Sequence, residues 1–231
     1  MDNSPNTIKA RLLDAALMHV PFDGWSETTF VEAAKDADIE LVMARAICPR
    51  GAVDLAKAYH ERGDEVMRAR LETEPLPERF RDKIAAAVRY RIEAVSDKEA
   101  VRRGTTLFAL PMYAGDGAKL VWGTTDKIWT ALGDTSDDVN WYTKRATVSA
   151  VYSSTVLFWL GDDSTDNQAT WAFLDRRIDD VMQIEKAKAK VRDSRVLSAL
   201  FAGPSWVLDQ IKAPSAMRKS DFPGAWSSSG K

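Results

Sequence analysis

Cysteine occurs once in these 231 residues, at Cys48, so no disulfide can close within the chain and the usage suits a reducing compartment. Histidine occurs twice, as His19 and His60, without the carboxylate–His spacing of metal sites. Cys48 stands beside Pro49 with no histidine near it in sequence, which argues against a nucleophile. A glycine-rich phosphate loop is missing, and the Arg62-Gly63-Asp64 triplet falls inside a predicted helix. These gaps remove most enzyme readings and leave no expectation of a metal or catalytic cofactor. No uncharged run reaches the roughly 20 apolar residues that cross a bilayer. The opening M-D-N-S-P-N-T-I-K has neither the basic start nor the apolar run of a signal or transit peptide. The expectation is a protein that is soluble or at most membrane-peripheral. Excess charge is lacking too: 32 Lys and Arg face 34 Asp and Glu, so nucleic acid or anionic membrane can be met only through a local patch.

What remains is helical periodicity almost throughout, with no convincing alternating strand, so the fold class is all-α. Thr7 is placed to cap a first helix with Ile8, Leu12, Leu13, Ala16, Leu17 and Val20 on one stripe, ended by Pro21 and Gly24. Short helices from Thr28 or Thr29 and over Glu40 to Ala46 lead to Pro49-Arg50-Gly51. Longer ones cover Ala52 to Glu72, softly interrupted by Gly63, then Phe80 to Val95, Val101 to Leu110, Leu120 to Leu132 and Ala169 to Lys190. Between the last two, Asn140 can cap a helix that runs as A-T-V-S-A-V-Y-S-S-T-V-L-F-W-L from Ala146 to Leu160 with hardly a charge. A helix apolar nearly all round is buried or lines a greasy cavity. Trp141 and Tyr142 at its mouth are either core or contact surface, since rigid aromatic rings serve both.

Two terminal regions carry further signals. The first 60 residues read as a helix-turn-helix opening, but nine acidic side chains outnumber six basic ones there, and the candidate recognition helix offers only Arg45 to a groove. Phosphate neutralisation supplies most non-specific DNA affinity, so nucleic acid is not expected as a partner. Near the other end, Leu197, Leu200, Phe201, Leu208 and Ile211 share one face with Trp206 beside them, and Glu185 to Lys212 holds six basic residues against three acidic ones. Such a basic, aromatic-bearing amphipathic segment reads as a membrane-surface helix, the alternative being a helix packed on its own domain or on a dimer partner. The closing S-S-S-G-K reads as a disordered tail.

Three blocks carry a family resemblance: R-L-L-D-A-A-L-M-H-V-P-F-D-G-W near the start, G-D-T-S-D-D-V-N-W-Y-T-K-R-A in the middle, and T-W-A-F-L-D-R-R-I-D-D-V-M after it. Over roughly Thr7 to Lys212 the chain resembles the Coq-nine family of ubiquinone (coenzyme Q) biosynthesis proteins, lipid-binding relatives of the TetR fold. The resemblance implies a non-enzymatic homodimer that holds an isoprenoid or other lipid internally and docks with demethoxyubiquinone hydroxylase at the membrane. It implies a partner-facing patch of Ile128, Asp138, Trp141 and Tyr142, with Ile128 where relatives often carry methionine. The lipid pocket would be walled by Leu107, Leu110, Met112, Val148, Tyr152, Val156 and Trp159, residues that a filled core would fit as well. An empty apolar cavity costs on the order of 24 cal/mol per Å³, so an open pocket would need its guest.

The organisation expected is a helix-turn-helix-like part over residues 1–60, a lipid-binding and dimerising core over 61–190, a membrane-surface helix over 191–212 and a tail over 213–231. The expected function is to bind an isoprenoid quinone precursor or other lipid and present it to the hydroxylase. The alternatives are a TetR-type ligand-responsive regulator and a structural adaptor without lipid. Lack of an organelle presequence suggests a bacterial cytoplasmic protein peripherally associated with the inner membrane.

Overall fold

A computed structural model describes residues 4–95, 97–193 and 213. The predicted membrane-surface residues Leu197, Leu200, Phe201, Trp206, Leu208 and Ile211 lie outside the described residues, as does the tail. Among the described residues nine α-helices follow one another: α1 (Pro5–Asp23), α2 (Glu27–Asp36), α3 (Leu41–Ile47), α4 (Ala52–Thr73), α5 (Phe80–Glu93), α6 (Lys98–Ala109), α7 (Ala114–Ala131), α8 (Val139–Leu160) and α9 (Gln168–Asp193). Among the described residues there is no strand.

Short polar side chains start several of these helices. Ser4, not Thr7, caps α1: its hydroxyl accepts from the Thr7 backbone N–H, and Pro5 at the first position lacks the donor that would otherwise go unmet. Pro21 does not stop α1, which continues to Asp23 and ends at Gly24 in a positive-φ conformation. Ser26 caps α2 through Thr29 N–H, and Asp97 caps α6 through Glu99 and Ala100. At α8 the cap is Asp138 rather than Asn140, whose own backbone N–H is the donor at 2.9 Å. α7 begins six residues before the predicted Leu120 because Gly115 and Gly117 are accommodated inside its first turns.

Packing divides the interior into two cores joined by α4. Leu12, Leu13, Val20, Phe30, Ala44 and Leu55 bury the small N-terminal unit of α1 to α3 against the first turns of α4. Each of the larger of these, the valine, leucines and phenylalanine, contributes about 1.5–3 kcal/mol when withdrawn from water. The later turns of α4 supply Met67 and Leu71 to a second core with Ile84 and Val88 of α5, Ile128 of α7, Val148 and Val151 of α8 and Leu174 of α9. Gly63 does not interrupt α4, which runs unbroken from Ala52 to Thr73. Its second half therefore stands opposite α5, α7 and α8, where the candidate site lies.

Candidate functional site

A cavity of about 370 Å³ opens between α4, α5, α6, α7 and α8. That volume falls in the range of about 300–1,000 Å³ typical of small-molecule sites. On α6, Val101, Gly104, Thr105 and Phe108 face it at i, i+3, i+4 and i+7. Ile92 of α5, Leu120 and Val121 of α7, and Tyr152, Val156 and Trp159 of α8 complete the apolar wall, with Trp25 at one end. Trp25 is fixed by its indole N–H, which donates to the Ala100 carbonyl at 3.0 Å. Arg102 donates to the Leu160 carbonyl at 2.6 Å and Lys98 to that of Asp162 at 2.8 Å, so α6 is tied to the last turn of α8.

The cavity also has a polar side that the sequence did not reveal. Arg91, 4% exposed, donates through Nε to Asp64 Oδ1 at 2.6 Å and through Nη2 to the His60 carbonyl at 2.9 Å. Asp64 accepts in addition from Thr124 at 2.8 Å and Lys127 at 3.3 Å. His60 places Nε2 2.8 Å from the Thr124 hydroxyl. Burial, reinforced by the Arg91 charge, lowers its pKa to about 4, so the imidazole is neutral at physiological pH. Arg91 and Asp64 stand 27 positions apart on helices whose patterns look ordinarily amphipathic, and only α4–α5 packing reveals the pair.

Of the seven expected pocket walls, Tyr152, Val156 and Trp159 line this cavity. Val148 instead lines a smaller cleft of about 240 Å³ with Phe80, Trp129 and Ile178. Leu107 packs against the N-terminal core, because it sits about a third of a turn from the Gly104–Phe108 face of α6. Leu110, 45% exposed, and Met112, 76% exposed, point outward, since α6 has already ended and the chain is turning toward α7. Cys48 is enclosed in the N-terminal core, where burial pushes its thiol pKa up and leaves it inert.

The aromatic patch forms beside the start of α8. Trp141 and Tyr142 meet edge to face with centroids 4.8 Å apart, and Trp122 of α7 lies 5.9 Å from the first ring and 6.4 Å from the second. All three side chains are half-buried. Asp138 is exposed and occupied as the helix cap, accepting from both the backbone and side-chain nitrogens of Asn140. Ile128 is not part of this surface: it is 0% exposed and belongs to the second core, on the face of α7 turned away from Trp122. Trp122 takes the flanking place expected of Ile128. Its signal was an aromatic on a helix that packs against α8, which cannot be read before the helices are paired.

Beneath the patch, Arg145 is fully enclosed. It donates through Nε to Asp126 at 2.7 Å and through Nη1 to Asp134 at 3.0 Å and to the Trp141 carbonyl at 3.1 Å. Burial opposes ionisation of Asp134, but hydrogen bonds from Lys144, Ser136 and Arg145 win and hold its pKa well below the usual carboxylate value. The loop before α8 is thus pinned to the first turns of that helix.

Comparison with known proteins places this arrangement. Over 190 residues the chain is 31% identical to the ubiquinone biosynthesis protein COQ9, mitochondrial, of Xenopus tropicalis, covering 78% of this chain and 59% of that protein. Over 202 residues it is 27% identical to the human protein of the same description, covering 83% and 63%, and over 191 residues 29% identical to that of Drosophila melanogaster, covering 78% and 57%. The chain thus spans about three fifths of the length of these relatives. In structure it is similar to a TetR transcriptional regulator from Nitrosomonas europaea, with a TM-score of 0.61 at 17% identity over 74% of this chain and 96% of that one, so the fold is TetR-like. The expected bacterial cytoplasmic setting is overturned: these COQ9 relatives are eukaryotic proteins described as mitochondrial. Since the chain matches only part of their length, its first residues bear no evidence about a presequence. Residues 114–185, which carry α7, the aromatic patch, α8 and most of α9, match the COQ9 family, and over most of its length the chain is similar to the COQ9 ubiquinone biosynthesis proteins.

Proposed function

We propose that this protein is an accessory factor of ubiquinone biosynthesis, without catalysis of its own, that holds an isoprenoid quinone precursor or similar lipid and presents it to demethoxyubiquinone hydroxylase. The observation that carries this reading is the placing of both features on one helix: α8 gives Tyr152, Val156 and Trp159 to the cavity and Trp141 and Tyr142 to the surface patch. A guest in the cavity and a partner on the patch would then be about three helical turns apart along a common element. Aromatic rings held rigid from below suit a partner surface, because little side-chain entropy is lost on docking. Homodimerisation and contact of the C-terminal segment with a membrane surface belong to the same proposal.

Two measurements test it. Mass spectrometry of an organic extract of the purified protein is expected to find a stoichiometric isoprenoid or other lipid, and a lipid-free protein would leave only an adaptor. Trp141→Lys is expected to leave the circular dichroism and lipid content unchanged while abolishing capture of the hydroxylase. Loss of the fold would instead assign Trp141 to the core.

The regulator reading is favoured by the TetR-like fold alone. Against it, α3 presents Leu41, Val42 and Met43 to solvent, while Arg45, its one cation, is engaged by Glu27. A regulator would show salt-sensitive duplex binding in a gel-shift titration, and the carrier is expected to show none.

A further inference from the structure

We propose that Arg91 is the polar anchor of the cavity and selects an apolar guest whose head carries an uncharged oxygen acceptor, such as a ketone, quinone or ether, over one ending in carboxylate or phosphate. The inference rests on the reading of the cavity as a guest site and specifies the chemistry of that guest.

The guanidinium carries five N–H groups in a fixed plane. Asp64 and the His60 carbonyl take one each from Nε and Nη2, and among the described residues no acceptor meets Nη1. Arg91 lines the cavity opposite α8, with its guanidinium carbon 5.9 Å from the centroid of the Tyr152 ring. Gly63 lets it lie there: a Cβ at that position would fall 2.6 Å from Nη1. A charged donor with spare hydrogens, largely withdrawn from water and facing apolar walls, is completed by an oxygen brought in by a ligand.

Charge balance decides which oxygen. Every cation on the polar side already has a carboxylate: Arg91 has Asp64, Lys127 has Asp64 and Glu65, and Arg62 at the rim has Asp14. His60 adds no charge, because burial beside the Arg91 guanidinium keeps its imidazole neutral. An anionic head would therefore enter without a counter-charge and bear its full desolvation cost. A carbonyl or ether oxygen gains a charge-assisted hydrogen bond and disturbs no ion pair.

Displacement of the uncharged fluorophore N-phenyl-1-naphthylamine from the full chain by 2-undecanone, undecane and undecanoate tests this, in the wild type and in the double variant Arg91→Met, Asp64→Asn. The double change removes one charge of each sign, so neither is left buried alone. Expected is a weakening of 2-undecanone binding by about tenfold in the variant, the scale of one hydrogen bond to a charged donor, with undecane unchanged. Undecanoate is expected to bind the wild type more weakly than the ketone. If the fluorophore binds but the variant treats ketone and alkane as the wild type does, or if undecanoate binds best, the anchor is overturned and the guest site stands. A fluorophore that does not bind at all overturns both. Should the double variant fail to fold, the wild type decides: ketone at least as tight as alkane supports the anchor. An alkane tighter by tenfold or more overturns it, because that is the order expected when a buried carbonyl finds no donor.

Discussion

The guanidinium carbon of Arg145 lies 3.9 Å from the centroid of the Trp141 ring, one helical turn earlier on α8. Because the same guanidinium is bonded to Asp134 and to the Trp141 carbonyl, ring, helix start and preceding loop share one buried cation. Arg145→Met should remove that support and leave Asp134 buried with Lys144 as its remaining cation. Breaking a buried pair from one side costs about 3–5 kcal/mol. Urea unfolding should record a loss of that order, and a loss below about 1 kcal/mol would show that water reaches Asp134 more freely than its enclosure implies. The sign of the acid dependence follows from the depressed Asp134 pKa. Its contribution is complete above the ordinary aspartate value of about 3.9 and drains away as the pH falls below it, so Asp134→Asn should flatten stability in that acid range.

His60 gives a second, separate window. Its pKa is about 4 in the fold, lowered first by burial and then by the Arg91 charge, against about 6.5 when unfolded. The unfolded chain therefore takes up the proton first, and stability is full above pH 6.5 and declines as the pH falls toward 4. Over that interval the loss is on the order of 3 kcal/mol for the isolated group. Urea midpoints at pH 7 and 4.5 should differ markedly in the wild type and much less in His60→Gln. An equal difference in both would assign the acid sensitivity to other groups.

Ile128→Ala separates what the sequence allowed from what it hid. With Ile128 fully enclosed, truncation should cost about 2–5 kcal/mol of stability while the aromatic patch keeps its fluorescence, and an unchanged stability would mean the side chain is not core. The apolar run of α8 was legible because its spacing alone sends Tyr152, Val156 and Trp159 to one side, and the cavity lies there. The all-helical architecture was legible for the same reason of period. Turning points are not: the pattern makes Leu110 and Met112 look like wall because hydrophobicity says nothing about where α6 stops. Nor were pairings across helices, since Arg91 with Asp64, and Trp122 with Trp141, meet only once α4 packs on α5 and α7 on α8. The cap of α8 is not legible either, because Asn140 and Asp138 are equally good cap formers two residues apart, and it falls to Asp138 where the loop is pinned by Asp134 and Arg145.

Gly63 offers the sharpest contest between local preference and packing. In the middle of α4 an alanine is better than glycine by about 1 kcal/mol on helix propensity, so an isolated helix would gain from Gly63→Ala. In the fold, the new Cβ would lie 2.6 Å from Arg91 Nη1 and 2.8 Å from its guanidinium carbon. Those atoms are the end of a flexible side chain, but Asp64 and the His60 carbonyl hold them, so retreat would break a buried ion pair or strain the α4–α5 contact. Packing should win, with a net destabilisation of about 1–3 kcal/mol in urea unfolding. In an Arg91→Ala background the obstruction is gone, and Gly63→Ala should then stabilise relative to that background by up to about 1 kcal/mol. If it destabilises both backgrounds equally, the obstruction is not the guanidinium, and the account of why α4 carries a glycine at its centre fails with it.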